Sequence, residues 1–133
     1  MKLTLVSFDI DGTLEFGDPP GFITAVMVAA AKARGWIIGS CSDRPLSHQQ
    51  AIWERLAIVP DFTVLKHRLD DVRSQFPDHA YYHIGDTDVD EHYAMRAGFE
   101  FLRVGAAAHA TWVPKLFNSE GGSASLPNLP PQS

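Results

Sequence analysis

The run from Leu3 to Phe8, with Ile10 just behind it, is apolar almost without interruption. A strand with one wet face alternates apolar and polar side chains, whereas a strand covered on both faces does not. The run therefore predicts a central parallel strand, and parallel pairing commits the following chain to long crossover connections, usually helical. The downstream sequence supplies them. After the turn residues Gly17, Asp18, Pro19, Pro20 and Gly21, the alanine-rich stretch from Phe22 to Arg34 predicts a helix stopped at Gly35. Trp36 to Cys41 predicts a second buried strand, and Leu46 to Ala57, with Trp53 and Leu56 one turn apart, a second helix. Phe62 to Lys66, Leu69 to Phe76, Ala80 to Ile84, Val89 to Ala97 before Gly98, and Phe99 to Val104 continue as strand, helix, strand, helix and strand.

Such alternation implies the α/β class: a doubly wound parallel sheet of about five strands with helices on both faces. With 133 residues, 45% of them hydrophobic, the chain has material for one domain. That core is expected over residues 1–117, followed over 118–133 by "NSEGGSASLPNLPPQS", a Gly/Ser/Pro-rich stretch expected to be disordered. Leu126 and Leu129 are its only candidate anchors for a neighbouring subunit. The net charge of -5 argues against a broad nucleic-acid footprint. A single cysteine, Cys41, excludes both an internal disulfide and a multi-cysteine zinc site, and reads as a small buried thiol. Asp9 and Asp11 interrupt the apolar run before it reaches the length of a signal sequence, and no run approaches the ~18 apolar residues of a membrane span. A cytoplasmic protein without a membrane segment is the expectation.

Three polar clusters each follow an apolar strand: Asp9 and Asp11, then Ser40 to Arg44, then Asp86, Asp88 and Asp90. In a parallel sheet the carboxyl ends of the strands converge, so these clusters meet in one crevice. Two unit negative charges ~4 Å apart repel by roughly 4 kcal/mol at a surface-like dielectric. A hard divalent cation with oxygen ligands, Mg²⁺ above all, would neutralise them and hold a phosphate oxygen.

The stretches "SFDIDGTL", "CSDRP", a lysine after the third strand, and "HIGDTDVD" resemble the four ordered motifs of the haloacid dehalogenase superfamily of phosphohydrolases. The resemblance spans about residues 3 to 104. It implies a Mg²⁺-dependent phosphatase that cleaves a phosphate monoester, on a small molecule or a phosphorylated macromolecule, through an aspartyl-phosphate. Asp9 would be the nucleophile and a metal ligand. Asp11 would be the acid/base, its pKa raised by its neighbour so that it can carry a proton, with its backbone carbonyl on the metal. Gly12 would permit the turn and Thr13 fix the loop by hydrogen bonding. Asp86 would be the second metal carboxylate, and Asp90 a metal ligand or a residue just behind one; Asp88 reads as helix N-terminal charge.

Ser42 matches the phosphate-binding hydroxyl, with Ser40 as rival. Arg44 reads as a phosphate contact or as a solvated arginine at a helix start. Lys66 matches the charge-offsetting cation, with Arg68 and Arg73 as rivals. The six histidines lack a paired metal-ligand spacing, and His83 reads as packed or bonded locally. No stretch between the motifs is long enough for a cap domain. The crevice is therefore expected to be open, or covered by the Glu15 to Pro20 flap, the tail or a second subunit of a homo-oligomer. Glu15, Phe16 and Asp18 would then face substrate. Two alternatives remain: a binding module of the same fold without turnover, and a receiver-type signalling domain. In receivers the phosphorylated aspartate follows the third strand, whereas here the third strand ends in Lys66.

Overall fold

The computed structural model describes residues 3–105; the expected tail lies outside them. The elements run β1 (Leu3–Phe8), α1 (Ala25–Ala33), β2 (Ile37–Ser42), α2 (Leu46–Leu56), β3 (Phe62–Leu65), a 3₁₀ turn (Lys66–Arg68), α3 (Leu69–Gln75), β4 (His79–Gly85), α4 (Asp88–Ala97) and β5 (Glu100–Arg103). All five strands pair in parallel, in the order β3-β2-β1-β4-β5. The doubly wound sheet expected from the sequence is therefore present. A receiver-type sheet runs 2-1-3-4-5, so the receiver alternative is set aside by topology.

Strand alternation divides the core in two. Val6, Phe8, Ile10, Ile38, Tyr82 and Ile84 point to one face, where Val28 and Ala31 of α1 and Ile52, Trp53 and Leu56 of α2 cover them. Leu5 and Cys41 point to the other face, under Leu69 and Val72 of α3 and Ala94 and Ala97 of α4. The chain changes face at β1, which has β2 on one side and β4 on the other. Ligand crevices in open α/β sheets lie at such a reversal, beyond the strand ends. Cys41 is a buried free thiol, and burial pushes its pKa up.

Local chemistry moves several element ends from their sequence-based positions. Helix α1 begins at Ala25 rather than Phe22 because Thr24 takes the N-cap, its Oγ1 accepting the Met27 N–H at 3.2 Å. Phe22 and Ile23 stay in the preceding loop, where Ile23 N–H donates to the Thr13 carbonyl. Helix α4 starts one residue early, at Asp88, because Thr87 caps it. Lys66 opens the 3₁₀ turn instead of closing β3.

A buried polar lock holds α2 on the sheet. Trp53 Nε1 donates to Ser40 Oγ (2.9 Å), Ser40 donates to Gln49 Oε1 (2.6 Å), and Gln49 Nε2 donates to the Arg44 and Val64 carbonyls. Ser40 and Gln49 are fully buried. Ser40→Ala strands the Trp53 donor and the Gln49 acceptor, so it should cost about 1–3 kcal/mol for unsatisfied buried groups. A urea titration checks this: the midpoint falls while the slope stays constant.

Candidate active site

Asp9 stands one residue past the end of β1, where its N–H donates to the Ile84 carbonyl of β4 (2.9 Å) and its side chain is almost wholly buried. Carboxylate oxygens of Asp9, Asp86 and Asp90 lie within 4.8 Å of one another, at the ends of β1 and β4 and the start of α4. The crevice predicted from sequence thus does gather acids from distant segments. Two glycines make the space. Gly12 has φ +79°, and a Cβ there would come within 1.9 Å of Asp86 Oδ2. A Cβ on Gly85 would come within 2.4 Å of Asp90 Cγ.

Lys66 reaches into this cluster from the 3₁₀ turn. Its Nζ is 3.4 Å from Asp90 Oδ1, 3.6 Å from Asp43 Oδ2 and 3.8 Å from Asp9 Oδ1. Burial alone would depress the lysine pKa, but Asp9, Asp90 and Asp43 outweigh it and hold the ammonium charged. The rivals are occupied elsewhere: Arg68 pairs with Asp71 on the surface, and Arg73 donates to the Ala97 and Gly98 carbonyls. Asp43 was not foreseen as a partner of Lys66; with its side chain 81% exposed it reads in sequence as an ordinary loop acid.

The two leading aspartates do not share their charge in the way their spacing suggests. Burial and the nearby Asp90 charge raise the Asp9 pKa, only partly offset by Lys66. Asp11 goes the other way. Its slight burial is outweighed by Arg44, which donates from Nη2 (2.8 Å) and Nε (3.1 Å), and by the Asp18 N–H (2.8 Å), so its carboxyl titrates below the usual range. The expectation that repulsion raises Asp11 is therefore corrected: Arg44, part-exposed, is paired with Asp11 here and holds it as an anion.

Asp90 is more than helix N-terminal charge. It is fully buried, and its Oδ2 accepts from Thr87 Oγ1 (2.7 Å) and N–H (3.3 Å) while its Oδ1 faces His83 Nε2 (3.0 Å) and Lys66. Burial would raise its pKa, but the hydrogen bonds from His83 and Thr87 and the Lys66 charge bring it below the ordinary carboxylate range. Asp88 is exposed and pairs with Arg103, as helix-start charge does.

Ser42, buried at the end of β2, accepts the Arg44 N–H at 3.1 Å. Ser40 is consumed by the α2 lock, so Ser42 is the hydroxyl nearer the strand end. Thr13 differs from expectation: the loop is held by its backbone, through the bonds Thr13 N–H to Ile10 O and Ile23 N–H to Thr13 O, while its buried Oγ1 has no hydrogen-bond partner among the described residues. Of the flap residues, Glu15 accepts the Ala25 N–H at the start of α1, and Phe16 lies under the Arg55 guanidinium against the core. Those two are thereby turned away from a substrate-facing role; Asp18 keeps its place beside Asp11.

The donor set fits a hard divalent cation. Asp86 Oδ1 is buried without a hydrogen-bond partner among the described residues, beside an Asp9 carboxylate that burial and neighbouring charge disfavour. Oxygen-only ligands of this kind suit Mg²⁺. Both Asp90 oxygens already have partners, so Asp9 and Asp86 are the less compensated members of the three acids that could hold an ion.

No family model and no curated protein sequence matches the chain. Among solved structures it is similar to the NMR structure of the core domain of a "putative phosphoglycolate phosphatase" from Streptococcus pneumoniae TIGR4, with a TM-score of 0.60 at 19% identity over 90% of this chain and 98% of that one. The likeness is one of fold. No helix among the described residues is long and apolar enough to cross a membrane.

A cation-free fold carries the cost of ionising Asp9. Because its folded pKa is raised, the folded state keeps a proton that the unfolded chain releases, so stability falls as pH rises from the ordinary carboxylate range toward the raised value. Asp9→Asn should flatten that slope and raise the melting midpoint in chelator at neutral pH. Mg²⁺ at a hundredfold excess over its dissociation constant should add about 2.7 kcal/mol to the native protein. The same ion should leave the Asn variant nearly unmoved in a thermal melt.

Proposed function

We propose that the chain is a metal-dependent phosphohydrolase that cleaves phosphate monoesters through an aspartyl-phosphate on Asp9. One observation carries the reading: Asp9, Asp86, Asp90 and Lys66, from three separate segments of the chain, meet at the reversal point of a doubly wound sheet. The fold it shares with the core domain of the "putative phosphoglycolate phosphatase" agrees with it.

Asp9 and Asp86 would hold the ion. Bound there, Mg²⁺ would neutralise the nucleophile's surroundings and polarise a phosphoryl oxygen. The remaining work belongs to side chains. A carboxylate oxygen of Asp9 attacks phosphorus as the ester oxygen departs, and Lys66, 3.8 Å from Asp9, offsets the negative charge shared between nucleophile and phosphoryl group. The Ser42 hydroxyl and nearby backbone N–H groups orient the phosphoryl oxygens. Asp11 gives the departing oxygen its proton and, once an anion again, takes one from the water that attacks the aspartyl-phosphate, so Asp9 is regenerated with inorganic phosphate as product.

The Arg44 contact favours the second half of this cycle, in which Asp11 acts as a base. For the first half, Arg44 has to move off the Asp11 carboxyl so that it can be protonated. The Asp11–Arg44 pair lies at a part-exposed mouth, with side chains 37% and 27% accessible, where an incoming anionic ester can compete for the guanidinium.

The test is Mg²⁺-dependent release of phosphate from an aryl phosphate. Asp9→Asn should reduce turnover to background, and Asp11→Asn should slow it by roughly 10²–10⁴, the usual worth of general acid/base help. Hydrolysis by Asp9→Asn at the wild-type rate would sink the mechanism. Stabilisation by Mg²⁺ with no turnover of any phosphate ester would instead assign the chain to the binding-module alternative.

A further inference from the structure

His83 is fully buried and unused by the mechanism above. It lies on β4 directly opposite Ser7 of β1 in the parallel register, and both side chains point to the α3/α4 face. Ser7 Oγ meets His83 Nδ1 at 2.9 Å, and His83 Nε2 meets Asp90 Oδ1 at 3.0 Å. The Phe101 ring of β5 flanks the imidazole at a centroid distance of 6.3 Å. Both ring nitrogens are thus engaged, and the ring is packed from the neighbouring strand.

We infer that His83 is a positioning residue for Lys66: pinned by Ser7, it fixes the Asp90 carboxylate that anchors the ammonium beside Asp9. The assignment rests on the proposed role of Lys66. Asp90 Oδ1 is shared between His83 Nε2 and Lys66 Nζ, whereas Oδ2 is bound to Thr87 at the helix start. Thr87 therefore tethers one edge of the carboxylate. The His83 bond decides how the other edge turns toward the lysine. The seat is also built sterically, since only a glycine at position 85 leaves room for the Asp90 carboxylate.

A space-filling role alone does not account for these contacts. An apolar side chain in place of the imidazole would fill the same slot, but it would leave Ser7 Oγ without its cross-strand partner and Asp90 short of a donor while fully buried. Asp90 would then turn toward Lys66 and Thr87 alone, and the lysine would lose its fixed distance to the nucleophile.

Two substitutions separate orientation from filling. The amide nitrogen of Gln reaches near the Nε2 position and preserves a donor to Asp90; that of Asn reaches near Nδ1, serving Ser7 and not Asp90. Removing outer partners that orient a reactive group typically costs about 10- to 100-fold, so His83→Asn should lower kcat on an aryl phosphate within that range with KM nearly constant. His83→Gln should fall short of that tenfold loss, since it keeps the orienting bond.

A readout independent of turnover is the rate at which an amine-selective reagent labels Lys66 in the folded protein, followed by peptide mass mapping. Labelling should accelerate in His83→Asn and remain slow in His83→Gln. Ser7→Ala, which frees the ring at Nδ1, should give a smaller acceleration and serves as the comparison if the Asn variant does not fold. Equal Lys66 labelling in wild type and in every folded variant would overturn the inference, as would Gln and Asn variants that lose activity equally. Should the wild-type protein hydrolyse no phosphate ester, the catalytic reading fails, while the labelling pattern still decides the positioning of Lys66.

Discussion

Buried like charge is the constraint from which the rest of this site follows. Three carboxylates within 4.8 Å, two of them almost wholly inaccessible, would be ruinous in a site of low dielectric unless each were compensated. The chain compensates them unequally. Asp90 receives hydrogen bonds from His83 and Thr87 and a charge from Lys66; Asp9 has a more distant contact with the same ammonium; Asp86 keeps an oxygen with no partner among the described residues. The deficit therefore falls on the Asp9/Asp86 side of the cluster, where a divalent cation would offset it. The gradient across three acids, rather than their number, distinguishes the poorly compensated Asp9 from Asp90, whose partners hold it in place.

The fold creates that gradient with ordinary means. Parallel pairing brings the ends of β1 and β4 side by side, and the change of helical face at β1 leaves the space beyond them uncovered by a crossover. Helix α4 then follows β4 after two residues, with a Thr87 cap whose hydroxyl holds the buried Asp90 carboxylate. Two positions without side chains, Gly12 and Gly85, make room for Asp86 and Asp90. Strand pairing, a helix cap and two small residues suffice to hold acids that would otherwise separate.

Much of this was legible in the sequence, because each signal was local. Apolar runs without alternation marked the buried strands, and polar residues directly behind them marked the crevice, so Asp9, Asp11 and Asp86 could be singled out before any geometry was known, with Lys66 indicated by the family resemblance alone. What could not be read were partners set by register and by side-chain reach. Nothing within a few residues of His83 announces Ser7, 76 positions earlier, as its neighbour. Arg44 and Asp11 are 33 residues apart, and their pairing depends on where two loops end rather than on either motif. The helix boundaries shifted for a related reason: Thr24 and Thr87 provide caps that hydropathy does not weigh.

Asp9 and Asp11 also show why spacing alone misjudges charge. Two residues apart in a strand, they would lie on one face and repel. Here β1 ends at Phe8 and the chain turns at Gly12, with Gly12 N–H donating to the Pro19 carbonyl, so Asp11 is carried away while the Asp9 N–H still bonds to the Ile84 carbonyl of β4. One carboxyl stays buried with its charge disfavoured. The other emerges at the mouth, where a guanidinium and a loop N–H favour the anion. A single turn thus gives two identical side chains opposite acid–base character, and the division follows from solvent access and the partners it admits, not from repulsion between the pair.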